Sequence, residues 1–285
     1  MECPIGDGLY IFGPTGCGKS ETVRQACARL NWPMTEFTGS GTTEMAELFG
    51  HLALKNGSMI YEDGPLVRAM RLGHVFVLNE MDLMRSSELM GINDLLSTGS
   101  VTIPELGGEV VTAHPDFRFV ATGNTSGGGD ENGDYIGVRA QNVAFMDRFR
   151  LSKAGYRNLK DEIAIVSRFC PDLPIETVRV LCRTAKAVRR VAKGFCGETM
   201  SITVSTRALK RWAALCLFFK GAPESMKYAL RSALLYRGTA PERIAVERIL
   251  EEEEARVKAG IPDDEAEFEA FYDAKEEALI NGTCD

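Results

Sequence analysis

Apolar runs and helical periods alternate along the first half of the chain. "GLYIFG" (8–13) is a short apolar run closed by glycine, and "KSETVRQACARL" (19–30) follows with helical spacing. "MTEFTG" (34–39) predicts a second strand. "TTEMAELFGHL" (42–52) predicts a helix with Met45, Leu48, Phe49 and Leu52 on one face. "SMIYEDGPLVRAMRLG" (58–73) predicts a short extended piece, a turn at Asp63–Gly64–Pro65 and a helix ending near Gly73. "HVFVLNE" (74–80) is apolar on both faces, as a buried parallel strand is. "SSELMGINDLLSTG" (86–99) predicts a helix ending at Gly99, "SVTIPELGGEVVTA" (100–113) a hairpin, and "FRFVATGN" (117–124) another buried strand. Strands alternating with helices predict an α/β fold with an open parallel sheet, whose ligands bind at the carboxyl ends of the strands.

From about residue 158 the periods are all helical: "LKDEIAIVSRF", "IETVRVLCRTAKAVRRVAK", "TRALKRWAALCLFF" and "PESMKYALRSALLY". The expected organisation is an α/β domain over 1–155, a small helical domain over 156–240 and an acidic helical segment over 241–285. No internal repeat is visible at the 20–50 residue periods of solenoids.

Charge sharpens the last boundary. Residues 247–285 hold fourteen acids and four bases, so this segment carries −10 of the chain's net −7 and leaves +3 on the first 246 residues. A near-neutral body offers no electrostatic footprint for duplex nucleic acid, and the tail is expected to be a solvated helix, the alternative being a docking element. The dense basic run "KAVRRVAK" (186–193) does not place its charges on one helical face and is expected at the solvated surface. The acidic hairpin tip from Glu105 to Glu109 also argues against a DNA-gripping loop. The eight cysteines contain no C-x-x-C pair; Cys182 and Cys216 fall in apolar helical patterns, and free thiols point to the reducing cytoplasm. His51, His74 and His114 are too dispersed to be metal ligands. The first residues, "MECPIGDGLYIFGPTG", show no basic region followed by an apolar core and cleavage site, and no run reaches the roughly 20 apolar residues of a membrane helix.

The chemistry centres on "GPTGCGKS" (13–20), which fits the phosphate-loop pattern G-x-x-x-x-G-K-[ST] and lies between a strand and a helix as that loop requires. Its glycines let backbone N–H groups turn inward, and the helix N-terminus adds partial positive charge. Pro14, Thr15, Gly16, Cys17, Gly18, Lys19, Ser20 and Glu21 are the candidate nucleotide contacts. Lys19 is placed to reach the β- and γ-phosphates, and Ser20 to coordinate Mg²⁺. Asn79–Glu80 ends the strand expected beside this loop. An aspartate at position 79 would attract Mg²⁺ by a gross term on the order of 7 kcal/mol at about 4.5 Å and a dielectric of about 20. Desolvation cancels most of that, so asparagine costs about one or two kcal/mol net and leaves Asn79 a weakened metal partner. Glu80 can orient or deprotonate the attacking water; the alternative is a polar strand end without chemistry.

Asn124 ends the next buried strand, as a γ-phosphate contact or as a turn asparagine. Arg148 in "FMDRF" is a fixed cation for a neighbouring subunit's phosphate or half of a surface ion pair, for instance with Asp147. Arg207 opens the helix "TRALKRW", where a cation opposes the helix dipole and a phosphate contact gains weight.

Taken together, and above all through "ATGNTSGGGDENGDYIGVRAQNVAFMDRF", residues 8–215 resemble the AAA+ ATPases of the MoxR group. Within it they resemble the branch of the cobaltochelatase small ATPase subunits. "YEDGPLVRAM" resembles the group's segment preceding the second nucleotide motif, and "TIPELGGEVV" its hairpin before the sensor strand. The resemblance implies a P-loop AAA+ domain followed by a helical lid, with ATP and Mg²⁺ as cofactors. It implies that Lys19 and Ser20 serve the phosphates and Mg²⁺, Glu80 is the catalytic glutamate, Asn124 sensor 1, Arg148 the arginine finger and Arg207 sensor 2. It also implies a homo-oligomeric ring, usually hexameric, acting in chaperone-like fashion on a client protein, often one with a von Willebrand-type domain. Asn79 departs from the family's aspartate. Two other functions compete with an active motor: an ATP-bound assembly scaffold that hydrolyses little, and a nucleic-acid motor.

Overall fold

The computed structural model describes residues 7–130, 133, 135–192 and 200–280. Cys3, Cys196, Cys284 and Lys193 lie outside the described residues. Contacts divide the chain into two compact units, Met1–Gly155 and Tyr156–Asp285.

The first unit runs β1 (Gly8–Phe12), α1 (Lys19–Leu30), β2 (Met34–Thr38), α2 (Met45–Phe49), β3 (Gly50–Lys55), β4 (Ser58–Asp63), α3 (Pro65–Leu72), β5 (Val75–Asn79), α4 (Ser86–Leu89) and α5 (Asn93–Thr98). It continues through β6 (Ser100–Ile103), β7 (Glu109–Thr112), β8 (Arg118–Gly123), α6 (Val143–Met146) and β9 (Phe149–Lys153). Five strands form one parallel sheet in the order β2-β5-β8-β1-β9. The sheet is held by apolar strand faces: Phe76 and Leu78 of β5 and Phe119 and Ala121 of β8 pack with Tyr10 and Phe149 on one side. Val77 and Val120 pack with Ile11, Val23 and Cys27 on the other. The architecture is the expected α/β one, with the carboxyl ends of β1, β5 and β8 side by side.

Three local expectations need correction. The strand hydrogen-bonded to β1 on the phosphate-loop side is β8, and β5 lies one strand further out. Helix α2 stops at Phe49, and Leu52 leaves its face to enter β3 with 44% of its surface exposed. β3 and β4 form an antiparallel hairpin turned at Asn56–Gly57, both with positive φ (50° and 81°), the signature of a tight hairpin turn. The helix expected over 86–99 is interrupted by a 3₁₀ turn at Met90–Ile92. The hairpin expected around Glu105–Gly108 is present as β6–β7.

The second unit is helical: α7 (Leu159–Phe169), α8 (Ile175–Ala192), α9 (Thr206–Phe218), α10 (Ser225–Ala233), α11 (Ala240–Lys258) and α12 (Glu265–Ile280). Its core gathers Val178, Leu181, Val188, Leu209, Trp212, Leu230, Val246 and Leu250. Here the charge pattern resolves differently from expectation. Helix α8 is buried almost all round, including Arg183 and Arg189. Arg183 pairs with the fully buried Glu253 at 2.6 Å, and Arg189 holds Glu162 through two bonds of 2.7 and 2.9 Å. Lys186 and Arg190 pair with Glu265, Glu269 and Asp273 of α12, whose Phe268 and Tyr272 are buried. The basic run is therefore not a solvated surface, and the acidic segment is not a free solvated helix. Lys186 and Arg190 are neutralised by α12 and Arg189 by Glu162 of α7, because buried charges persist only when paired.

Candidate functional site

The site assembles at the carboxyl ends of β1, β5 and β8. β1 ends at Phe12, and the chain turns through Gly13–Gly18 into α1. Gly18 caps that helix in the left-handed conformation (φ 101°), which glycine adopts without steric cost, and no side chain caps its first turn. Gly16 is also left-handed (φ 70°). Gly13 N–H donates to the carbonyl of Gly123 at 3.3 Å, tying the loop to β8. An uncapped helix N-terminus preceded by such a loop is an anion-binding arrangement.

Lys19 is buried, and its ammonium donates to the carbonyls of Gly13 (2.8 Å) and Pro14 (3.1 Å) and to Asn124 Oδ1 (3.0 Å). Thr15 Oγ1 also donates to Asn124 Oδ1 at 3.3 Å. Asn124 Nδ2 in turn donates to Glu80 Oε2 at 3.0 Å. One asparagine thus links the phosphate-loop lysine to the glutamate at the tip of β5. Glu80 itself has φ 55° and ψ 39°, a left-handed backbone that a side-chain-bearing residue rarely adopts. Surrounding structure holds it there, for its N–H donates to Thr122 Oγ1 at 3.4 Å.

Ser20 and Asn79 come together as well. Ser20 Oγ donates to Asn79 Oδ1 at 2.5 Å, and Thr122 Oγ1 donates to the same oxygen at 3.2 Å. Both donors are hydroxyls and the acceptor is neutral, so this corner offers hard oxygen atoms without a formal charge. Among the described residues no group of three or more His, Cys, Asp or Glu side chains could hold a metal on its own. The donor set fits a Mg²⁺ ion that arrives with phosphate oxygens and keeps most of its water.

The other candidates are placed apart. Cys17 is buried within the loop. Glu21 is exposed and accepts from Arg24 and Gln25 along its own helix, so only its backbone belongs to the anion-facing turn. Asn142 caps α6 through Ala144 N–H (2.8 Å), and Arg148 follows that helix. Arg148 Nε donates to Ser97 Oγ at 2.8 Å, and its guanidinium also reaches the carbonyl of Ala144. No Arg148–Asp147 ion pair occurs among the described residues. Arg207 is exposed in the first turn of α9, after the Ser205 cap, in the second unit.

Three residues of the site carried no sequence signal. Thr122 bridges β5 and β8. Asp82, fully buried, accepts from the backbone N–H groups of Asn124 (2.6 Å) and Thr125 (3.2 Å). Tyr10 Oη donates to the carbonyl of Thr125 at 2.8 Å. Burial raises the Asp82 pKa, as does the charge of Glu80, against the lowering effect of the two amides. Burial likewise raises Tyr10, with Asp82 and Glu80 adding to it. In a strand tip read linearly, Asp82 looks like any turn acid, and a buried tyrosine looks like core.

Comparisons with known proteins point to a family. The family described as AAA domain (dynein-related subfamily) matches residues 8–136, and CbbQ/NirQ/NorQ C-terminal matches residues 162–250. Aerobic cobaltochelatase subunit CobS of Sinorhizobium sp is 32% identical over 72% of this chain and 64% of its own length. Von Willebrand factor A domain-containing protein 8 of Mus musculus is 25% identical over 66% of this chain and 10% of its own. The chain therefore spans less than two thirds of either relative. The crystal structure of NtrX from Brucella abortus shares the fold, with a TM-score of 0.56 at 15% identity over 97% of this chain and 65% of that one. The phosphate loop set against β5 and β8 and the two matched family regions lead to one conclusion: the chain belongs to the MoxR group of AAA+ ATPases.

Proposed function

We propose that this protein binds and hydrolyses Mg-ATP within a homo-oligomeric ring, hexameric as in its family, and uses the cycle to remodel or activate a partner protein. The observation that carries this is the continuous chain Lys19–Asn124–Glu80, in which one amide is bonded to the ammonium at its oxygen and to the carboxylate at its nitrogen; this supports a phosphate-binding role for Lys19 and a water-activating role for Glu80. A carboxylate so fixed can orient an attacking water and take its proton, an effect of about 10²–10⁴-fold. Bound Mg²⁺ would neutralise charge on the phosphates, with Ser20 and Asn79 as its protein partners. Arg148, half-exposed at the end of the sheet domain, is proposed as the cation for a neighbouring subunit's nucleotide, and Arg207 as the lid's contact.

For the partner, the mouse relative named for its von Willebrand factor A domain supports a client or co-chaperone carrying such a domain. The free thiols of Cys17, Cys27, Cys170, Cys182 and Cys216 support a cytoplasmic setting. Among the described residues no helix is long and apolar enough to cross a membrane. The uncharged Ser20–Asn79 corner favours a second reading, an ATP-bound scaffold with little turnover.

Titrating Mg²⁺ into hydrolysis assays of this chain and of Asn79→Asp separates the two. The motor reading expects turnover in both, with half-saturation shifted to about tenfold lower Mg²⁺ in the variant. Turnover confined to Asn79→Asp would make the natural chain the scaffold.

A further inference from the structure

We propose that Asp82 is a positioning residue for the reaction: together with Tyr10 it clamps the turn at Asn124–Thr125 and thereby sets the Asn124 amide between Lys19 and Glu80. The inference rests on the nucleotide site described above and goes beyond it by assigning the part that aims Asn124.

The geometry is specific. Asp82 follows the tip of β5 in a 3₁₀ turn and is fully buried, yet it spends one carboxylate oxygen, Oδ2, on two consecutive N–H groups of a different strand end. Its other oxygen, Oδ1, is buried without a partner among the described residues. A buried carboxylate left half-satisfied is costly, and that cost is borne here at the residue that holds the two amides of the turn. Tyr10 grips the same turn from β1 through the Thr125 carbonyl. Two donors and one acceptor of one turn are thus held from two strands that are not neighbours in the sheet. The backbone carbonyl of Asp82 also accepts from Arg139 N–H at 2.9 Å, so the chain returning from the following loop is fastened at the same residue.

Close packing leaves the clamp no slack. A Cβ on Gly123 would fall 1.9 Å from Tyr10 Oη and 2.9 Å from Asp82 Cγ, so only glycine lets β8 end against both groups. Asn124, the next residue, has its side chain bonded to Lys19, Thr15 and Glu80. An error of about an ångström at that amide would reach both ends of the chain at once, and misplacements of that size cost about 10²-fold in rate.

The test compares Asp82→Ala, Asp82→Asn and Tyr10→Phe with the natural chain and with Phe76→Leu, a core change in β5 matched for loss of thermal stability. Equilibrium titration reads the affinity for ADP and for ATPγS, and steady-state assays read kcat. The expected result for Asp82→Ala is ADP affinity within about threefold, preference for ATPγS over ADP reduced about tenfold, and kcat reduced about 30- to 100-fold. Asp82→Asn, which keeps an acceptor for both amides, recovers most of the loss, and Tyr10→Phe falls between. The proposal is overturned if Asp82→Ala keeps both the nucleotide preference and kcat, or if Phe76→Leu loses them equally. A natural chain that binds nucleotide without turnover leaves the affinity ratio to decide. A natural chain that binds no nucleotide removes the parent reading, an outcome visible before any variant is made.

Discussion

Asn79 sits in crowded electrostatic company. Glu80 is its neighbour and Asp82 lies three residues on, its pKa raised by burial and by the charge of Glu80. A third carboxylate at position 79, 8% exposed, would add repulsion that only a bound cation relieves. Asn79→Asp is therefore expected to destabilise the nucleotide-free protein by about 1 kcal/mol, a fall of a few degrees in Tm, and to regain it with Mg-ATP. Thermal denaturation with and without Mg-ATP checks this; a variant as stable as the natural chain in both conditions would contradict it. At this scale the phosphate loop was legible because glycines, lysine and serine must occur at fixed spacing for backbone amides to converge. Asp82, Tyr10 and Thr122 were not legible, since each acts through contacts 42 residues or more away in sequence.

At the scale of elements, the hairpin β3–β4 was missed although Asn56–Gly57 is a strong turn signal. The apolar residues at 45, 48, 49 and 52 fit a helical period and outweighed it. The charge segregation of the second unit was visible, but its meaning depended on α8 and α12 pairing across 79 to 83 residues. Removing the Glu253 carboxylate leaves the buried Arg183 with the carbonyl of Pro262 (3.0 Å), a distant Asp263 oxygen (3.5 Å) and the Phe268 ring face (5.5 Å) among the described residues. Glu253→Ala is expected to cost about 3–5 kcal/mol in denaturant unfolding; a loss under 1 kcal/mol would show the pair to be dispensable.

Helix α11 supplies a pH test. Glu242 accepts from the N–H and hydroxyl groups of both Thr239 and Ser201, and these bonds lower its pKa from 4.5 to about 2. A carboxylate depressed in the folded state stabilises fully above its unfolded pKa and loses that contribution as pH falls through the folded value. The natural chain should therefore lose stability relative to Glu242→Gln between pH 4.5 and pH 2. Parallel curves for the two proteins over that window would contradict the assignment.

At the scale of the whole molecule, the first unit gathers the phosphate loop, Asn79, Glu80 and Asn124 at one end of its sheet. The class of fold was readable from alternating strand and helix periods, because a parallel strand buried on both faces leaves an uninterrupted apolar run. The strand order was not, since nothing in β5 or β8 alone says which lies beside β1. The same holds for the contacts with nucleotide proposed for Arg148 and Arg207, which would depend on a second subunit and on the helical second unit.

That dependence makes one measurement the most direct test of the central claim. Steady-state ATP hydrolysis with Mg²⁺ is followed across a range of protein concentrations, with Glu80→Gln alongside. The account predicts turnover per chain that rises as the protein assembles and falls about 10²-fold or more in the variant. Turnover independent of concentration, or unchanged by Glu80→Gln, would contradict it.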